Sequence, residues 1–272
     1  VTRHRVLVSA HRGGYAELSA EGVGDRTLEN TLEALEHAVR SGADYVEFDV
    51  RRCADGTFVV THDPEVGPPG EARPVKRMTW PEVQASAPEV LRLSALVTAL
   101  APTGVGAHVD LKFATPRSAR DEGQAWEQDL LELLVASLDP GRIIITTGNV
   151  DASTVMRDWI QARDLPILVG LAVGASLSGL PWRQAAASLW GQLFPRHRFE
   201  ASHADAIAAH YALAMVRLSR WTRRIGVPLL VWTVDSPRLQ RRLLRDKRVW
   251  MITTNWPARA IAMRDGRARD AG

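Results

Sequence analysis

The chain has 272 residues, 46% of them hydrophobic and 24% charged, a globular composition that suits one large α/β domain as well as two small ones. Its single cysteine, Cys53, excludes an internal disulfide and reads as a small core residue in a reducing compartment. No stretch is apolar enough for a bilayer span, and the first residues run straight into a strand and a motif with no room for a signal peptide's apolar region. A soluble, cytoplasmic protein is the expectation.

In chain order, short β-branched runs alternate with longer helical patterns, as in a parallel α/β fold. Strands are predicted at 6–10, 45–50, 107–111, 142–146, 167–171, 204–208, 229–233 and 250–253, with helices at 31–41, 126–138 and 237–245 among those that follow them. Eight such units argue for a closed barrel over an open sheet, and a (β/α)8 barrel typically needs about 250 residues, which would use the whole chain, 1–272, as one domain. Residues 57–61, after Asp55-Gly56, read as a hairpin strand inserted behind the second unit. Pro/Gly-rich loops are predicted at 64–73 and 113–123.

Net charge is +3 but unevenly placed. Arg217, Arg220, Arg223, Arg224, Arg238, Arg241, Arg242, Arg245, Lys247 and Arg248 crowd the last third, at spacings that suit the solvated faces of two late helices. The sharper alternative is peripheral contact with anionic lipid. No zinc-finger, helix-turn-helix or RNA-binding signature accompanies the run, so nucleic acid is not an expected partner. Oligomeric state is left open.

Three predicted strands end in polar residues that a purely structural strand would not choose. The first runs into His11-Arg12-Gly13, the second carries Glu47 and Asp49, and the third carries Asp110 and Lys112. Residues two apart on a strand share a face, and at the C-terminal end of a parallel barrel that face is the active-site mouth. Three carboxylates there repel one another unless a cation intervenes, which points to one divalent ion with oxygen ligands, Mg²⁺ or Ca²⁺. The plainer reading pairs them with Arg51, Arg12 and Lys112. Lys112 is also placed to contact a phosphate oxygen. His62 ends the hairpin strand, and with His11 it supplies two imidazoles, the minimum for moving a proton in each direction. The remaining histidines, His108 and His210 among them, read as structural or surface residues, His210 being the least settled because it falls near the sixth strand's end.

These residues resemble the glycerophosphodiester phosphodiesterases. The likeness runs through Ala10-His11-Arg12-Gly13, Glu29-Asn30-Thr31-Leu32, the stretch from Ser41 to Val50, that from Asp55 to Pro64, Asp110-Leu111-Lys112, Val231-Trp232-Thr233-Val234-Asp235, and Ile252-Thr253-Thr254-Asn255-Trp256-Pro257. The resemblance implies a (β/α)8 barrel with His11 and His62 as acid/base pair and Glu47, Asp49 and Asp110 around the metal. It further implies that Arg12 and Lys112 grip phosphate, that Glu29 and Asn30 line the site (Glu29 as a further candidate ligand), and that Trp232 walls the pocket. There are two departures. Asp110 stands where the family usually has Glu, and residues 14–27 form a longer connection than is usual. The implied substrate is a small glycerophosphodiester, hydrolysed to glycerol phosphate and an alcohol. Three rivals are a lysophospholipid or phospholipid phosphodiesterase using the same site, an enolase-type barrel, and a catalytically degraded phosphate-binding barrel. The first would draw an apolar mouth from 176–194 (Leu177, Leu180, Trp182, Leu189, Trp190, Leu193, Phe194).

Overall fold

A computed structural model of the chain describes residues 5–174, 191, 192 and 194–266. Most of the apolar stretch expected at 176–194 lies outside the described residues. The strands, in chain order, are β1 (Leu7–Ala10), β2 (Tyr45–Arg52), β3 (Phe58–Val60), β4 (Glu65–Val66), β5 (Arg73–Pro74), β6 (Leu91–Arg92), β7 (Gly106–Leu111), β8 (Ile143–Thr147), β9 (Leu168–Val173), β10 (Ala206–His210), β11 (Leu229–Trp232) and β12 (Met251–Thr254). Strands β1, β2 and β7 to β12 pair side by side in parallel, and β1 pairs with both β2 and β12. The sheet therefore closes, and the fold is a (β/α)8 barrel.

Helices cover the barrel from outside. Leu32–Ser41 follows β1, Trp126–Val135 follows β7, Val150–Ala162 follows β8, Pro237–Leu243 follows β11 and Pro257–Arg264 follows β12. The first starts where the Thr31 side chain accepts from the Ala34 amide and stops at Gly42, whose φ of 78° suits a left-handed cap. Its early start brings 31–34 up against the loop after β1, which carries His11.

Strand parity decides what faces the barrel axis. On β2, Val46, Phe48 and Val50 join the core between sheet and helices, as Ala107, Val109 and Leu111 do on β7. The alternate residues Tyr45, Glu47 and Asp49, and with them His108 and Asp110, must then point inward. The interior is layered. Ile144, Ala206, Ala208, Leu230 and Met251 form an apolar plug with Tyr45 and Trp250, and the polar inward residues stand above it towards the C-terminal mouth.

The hairpin expected at 57–61 is present, and it is the edge of a larger insertion. β3 runs antiparallel to β2, with Arg52 opposite Phe58, and β6 adds to its far side. Cys53, Val59, Met78, Trp80 and Val83 pack beneath as a separate small core. The expected loop at 64–73 holds the short antiparallel pair β4–β5, and that at 113–123 holds the helix Arg117–Asp121. The second is tied down from just beyond its end. The buried Glu127 carboxylate accepts from the amide and the hydroxyl of Thr115, and Arg120 donates to the Thr115 carbonyl. The sixth strand begins two residues later than 204 because His203 is the left-handed cap of Arg196–Ser202 and Asp205 turns its carboxylate onto the Val169 amide.

Gly106 opens β7 directly beside Tyr45, and a Cβ there would sit 2.3 Å from the Tyr45 ring. Both are at the closed end of the barrel, so the ring cannot swing away without opening the plug. Gly106→Ala should lower unfolding free energy by about 1–3 kcal/mol, the usual cost of overpacking, read as a shift in the urea midpoint at unchanged m.

Candidate active site at the barrel mouth

Residues opposite one another in the β2–β7 register bring the acidic cluster together. Asp49 lies beside Asp110 and Glu47 beside His108. One oxygen from each of Glu47, Asp49 and Asp110 lies within 4.8 Å of the others. They share a cavity of about 290 Å³ with His11, Arg12, His62, His108, Lys112 and Trp232.

The turn after β1 supplies the first imidazole. Gly13, at φ 83°, rests where a Cβ would meet Ala34 Cβ at 2.5 Å, so only glycine lets the turn seat on the helix beginning at Leu32. Arg12 is held at φ 49° and Asn30 at φ 61°, a left-handed conformation uncommon for side-chain-bearing residues. They are locked together: the Asn30 amide donates to the Arg12 carbonyl (3.1 Å), the Asn30 side chain donates to Asp49 Oδ2 (3.0 Å), and the Asp49 amide donates back to Asn30 Oδ1 (3.2 Å). Local strain of this kind concentrates where a side chain must be aimed.

His11 is oriented from the end of the neighbouring β12. Its Nδ1 lies 2.7 Å from Asn255 Oδ1, and the Asn255 amide group donates to Asp235 Oδ2, also at 2.7 Å. The carboxylate can only accept, so it fixes which way the amide points, and the amide oxygen in turn requires the proton on His11 Nδ1. Nε2 is left with its lone pair, 3.9 Å from Glu47 Oε2. His62 is arranged in the same sense. Its Nδ1 lies 2.7 Å from Asp63 Oδ1, while Arg51 holds the His62 carbonyl with two hydrogen bonds of 3.1 and 2.6 Å.

Electrostatics at the cluster are unbalanced. Burial, then Asp49 and Asp110, pushes the Glu47 carboxyl well above its ordinary range. Burial raises Asp110 too, against Lys112. At Asp49 burial is outweighed by Lys112, Arg12 and the Asn30 amide, and its carboxyl falls well below the usual range. Lys112 Nζ reaches Asp49 (3.0 Å) and Asp110 (2.6 Å), and Arg12 Nε stands 3.2 Å from Asp49 without the alignment of a hydrogen bond. The predicted pairing with Arg12 and Lys112 thus exists, and Arg51 is turned to the His62 carbonyl instead. Two cations do not neutralise three carboxylates. Oxygens at this spacing fit a hard divalent ion, whose oxygen ligands lie about 2.0–2.6 Å away.

Glu29 and Asn30 do not line the same cavity. Glu29 pairs with Arg12 (2.7 Å) and Arg26 (2.6 Å), and Asn30 braces Asp49 from behind. Trp232 walls the pocket edge-on to His210, which ends β10 outside the cavity. His108, expected to be structural or at the surface, is buried on the cavity floor between Ser9 (3.1 Å) and Thr146 (3.2 Å), and burial drives it down to about 3. Its position two before Asp110 was the available signal. Asn255 stood within the matched motif, but nothing local tied it to His11, 244 residues away.

The barrel is similar to those of solved structures. The chain superimposes on a glycerophosphodiester phosphodiesterase from Parabacteroides distasonis with a TM-score of 0.72 at 20% identity, covering 98% of this chain and 99% of that one. An Oleispira antarctica phosphodiesterase, solved with its product sn-glycerol-3-phosphate, matches with a TM-score of 0.68 at 19% identity over 96% and 97% of the two chains. At such identities the likeness establishes the fold. A lysophospholipase D, GDPD3, from Mus musculus is 41% identical over 58 residues, 21% of this chain and only 15% of that protein's length. Residues 11–258 match the model of the glycerophosphoryl diester phosphodiesterase family, and the chain belongs to that family of phosphoric diester hydrolases.

Burial, then the neighbouring Arg12, lowers His11 to about 4 in the metal-free protein. Nitrogen-15 NMR of the imidazoles should show His11 neutral at pH 6 with its proton on Nδ1, titrating near pH 4. Asn255→Ala should give a mixture of the two tautomers, and an unchanged single tautomer would remove Asn255 as the orienting group.

Proposed function

We propose that this barrel hydrolyses glycerophosphodiesters to glycerol phosphate and an alcohol, with His11 and His62 as the acid/base pair and Glu47, Asp49 and Asp110 as ligands of one Mg²⁺ or Ca²⁺. The observation that carries the reading is the placement of two imidazoles, each with Nδ1 committed to an acceptor, in one cavity with three converging carboxylates. A bound divalent cation there would polarise a phosphoryl oxygen. Asp110 joins the group although it is one methylene shorter than the family's usual Glu, which argues against a degraded site.

Each remaining step belongs to a side chain of this protein. Arg12, backed by Glu29, and Lys112, backed by Asp110, present cationic donors to the phosphate. His11 Nε2 takes the proton of the attacking hydroxyl. His62, supported by Asp63, gives its proton to the leaving alkoxide. A glycerol moiety carries a hydroxyl next to its phosphoester oxygen, and such proximity lowers a barrier by several kcal/mol relative to attack by free water. The first step on this reading forms a cyclic glycerol phosphate as the P–O bond to the alcohol breaks. Water then opens the ring with the two histidines in exchanged roles.

A lysophospholipid substrate is a second reading of the same site. Tyr211, Met215 and Val216, exposed just beyond β10 at the mouth, favour it. Charge at the C-terminal helices bears on it as well: Arg220, Arg223, Arg224, Arg238, Arg241 and Arg242 are exposed. No described helix is long and apolar enough to cross a membrane. We read 1–272 as one domain, and the buried lone Cys53 supports a reducing, cytoplasmic setting. Turnover of glycerophosphocholine against lysophosphatidylcholine separates the two substrate readings.

Chelation should abolish hydrolysis and Mg²⁺ or Ca²⁺ should restore it, while Asp49→Ala should remove the rise in Tm that the ion gives wild type. Full activity after exhaustive chelation would end the metal assignment. His11→Ala and His62→Ala should each lower kcat by about 10²–10⁴-fold, and the double variant by far less than the product of the two losses. Phosphorus NMR during turnover should show a transient cyclic glycerol phosphate, and bis(p-nitrophenyl) phosphate, which has no neighbouring hydroxyl, should be a poor substrate. Fast cleavage of that diester, with no cyclic signal from the glycerol substrate, would establish direct attack by water.

A further inference from the structure

Beside the site lies a second cavity of about 790 Å³, bounded by Arg51 and Arg52 of β2, the turn Val75–Arg77 and the stretch after β7. Lys112 lines both it and the site cavity, so the two meet at that residue. Five cations face it, Arg51, Arg52, Lys76, Arg77 and Lys112, against one carboxylate, Glu65.

What marks this cavity out is that four of its five cations are not spent on ion pairs. Among the described residues only Lys112 of the five has a carboxylate within salt-bridge distance. Arg51 donates to the His62 carbonyl. Arg52 lies over the Trp126 ring at 4.1 Å, its Nη1 donates to the Cys53 carbonyl at 3.4 Å, and its Nε is buried without a partner. Lys76 and Arg77 stand exposed at the rim. Like charges gathered around a concave surface repel one another and focus a positive potential into it, which an anion relieves. The wall between them is flat and apolar, with Trp126 under Arg52 and Phe113 stacked on Phe58 at 5.5 Å.

Across the His62–Glu65 segment the charge is reversed. There a cavity of about 720 Å³ is faced by Glu21, Asp25, Glu29, Asp63, Glu89 and the shared Glu65, with Arg26 as its cation. A substrate anchored by its phosphate between His11 and His62 meets opposite fields on the two sides, and a second anion on it is drawn to the Arg52 side and repelled from the other.

We propose that the Arg51–Arg52–Arg77 cavity receives the alcohol half of the diester, and that this alcohol carries a second phosphate. The inference rests on the hydrolase reading for its first half and on the cavity itself for its second, so the test has two arms. In the first, kcat/KM is compared for bis(glycerophospho)glycerol, glycerophosphoglycerol and glycerophosphocholine, whose alcohol halves are anionic, neutral and cationic. Wild type should favour the first over the second by at least roughly tenfold at low salt. The exposed double variant Lys76→Glu/Arg77→Glu should lose most of that preference, with an unchanged Tm certifying its fold. Equal rates for the three substrates, or a variant that keeps the preference, would overturn the proposal.

The second arm needs no turnover. Inositol 1-phosphate, but not inositol, should change the emission that Trp126→Phe removes, and the charge-reversal variant should need roughly tenfold more of it. An unresponsive Trp126 overturns the subsite whatever the first arm gives. Failure to cleave any of the three diesters, with Trp126 still responding, would remove the hydrolase reading and leave an anion site standing.

Discussion

Everything at the mouth of this barrel depends on three carboxylates that two neighbouring strands force together. Asp49 and Asp110 are register partners, and Glu47 is one inward position below Asp49 on the same strand. In a buried setting such proximity is costly unless the charges are matched. The surrounding structure supplies the match in part: Lys112 bridges Asp49 and Asp110, Arg12 approaches Asp49, and the Arg12 amide donates to Glu47 at 2.8 Å. Glu47 is the residue left short, with its carboxyl pushed upward.

The strained backbone around it follows from the same requirement. To bring a guanidinium and an imidazole from one turn onto the same cluster, Arg12 takes a left-handed conformation and Gly13 yields its Cβ space to Ala34. Asn30, equally left-handed, ties that turn to Asp49 by a pair of amide hydrogen bonds. Glu29 and Asn30 therefore act through Arg12 and Asp49. On the other flank, Asp235 and Asn255 reach from beyond β11 and β12 to fix His11. The two imidazoles are thus aimed by different parts of the chain, one from the last strand and one from the inserted hairpin.

The insertion after β2 does more than carry His62. Its turns and strands face the cationic cavity on one side and the acidic one on the other. It rests on its own apolar core of Cys53, Val59, Met78 and Trp80. Phe58 and Val60 of β3 also join the core between sheet and helices, which fixes the insertion to the barrel.

Much of this was determined locally. Alternation of apolar and polar residues on 45–50 and 107–111 dictated the inward face, because the period of a strand is two and its outer face must meet helices. The hairpin at Asp55-Gly56, the helix after Thr31 and the Glu47/Asp49 pair are legible for the same reason, since each is set by neighbours within a few residues. The tertiary structure alone decided the rest. Registry between β2 and β7, separated by more than fifty residues of chain, placed Asp110 against Asp49 rather than one residue off, where it would have faced the helices. Closure of β12 onto β1 brought Asn255 to His11, and the same closure made His108 a buried floor. The short strands at 65–66 and 73–74 and the helix Arg117–Asp121 escaped the sequence because Pro/Gly-rich composition does not signal the contacts that fix them, β4 on β5 and Thr115 on Glu127. Local pattern sets which side a residue faces, and only closure of the sheet sets what it faces.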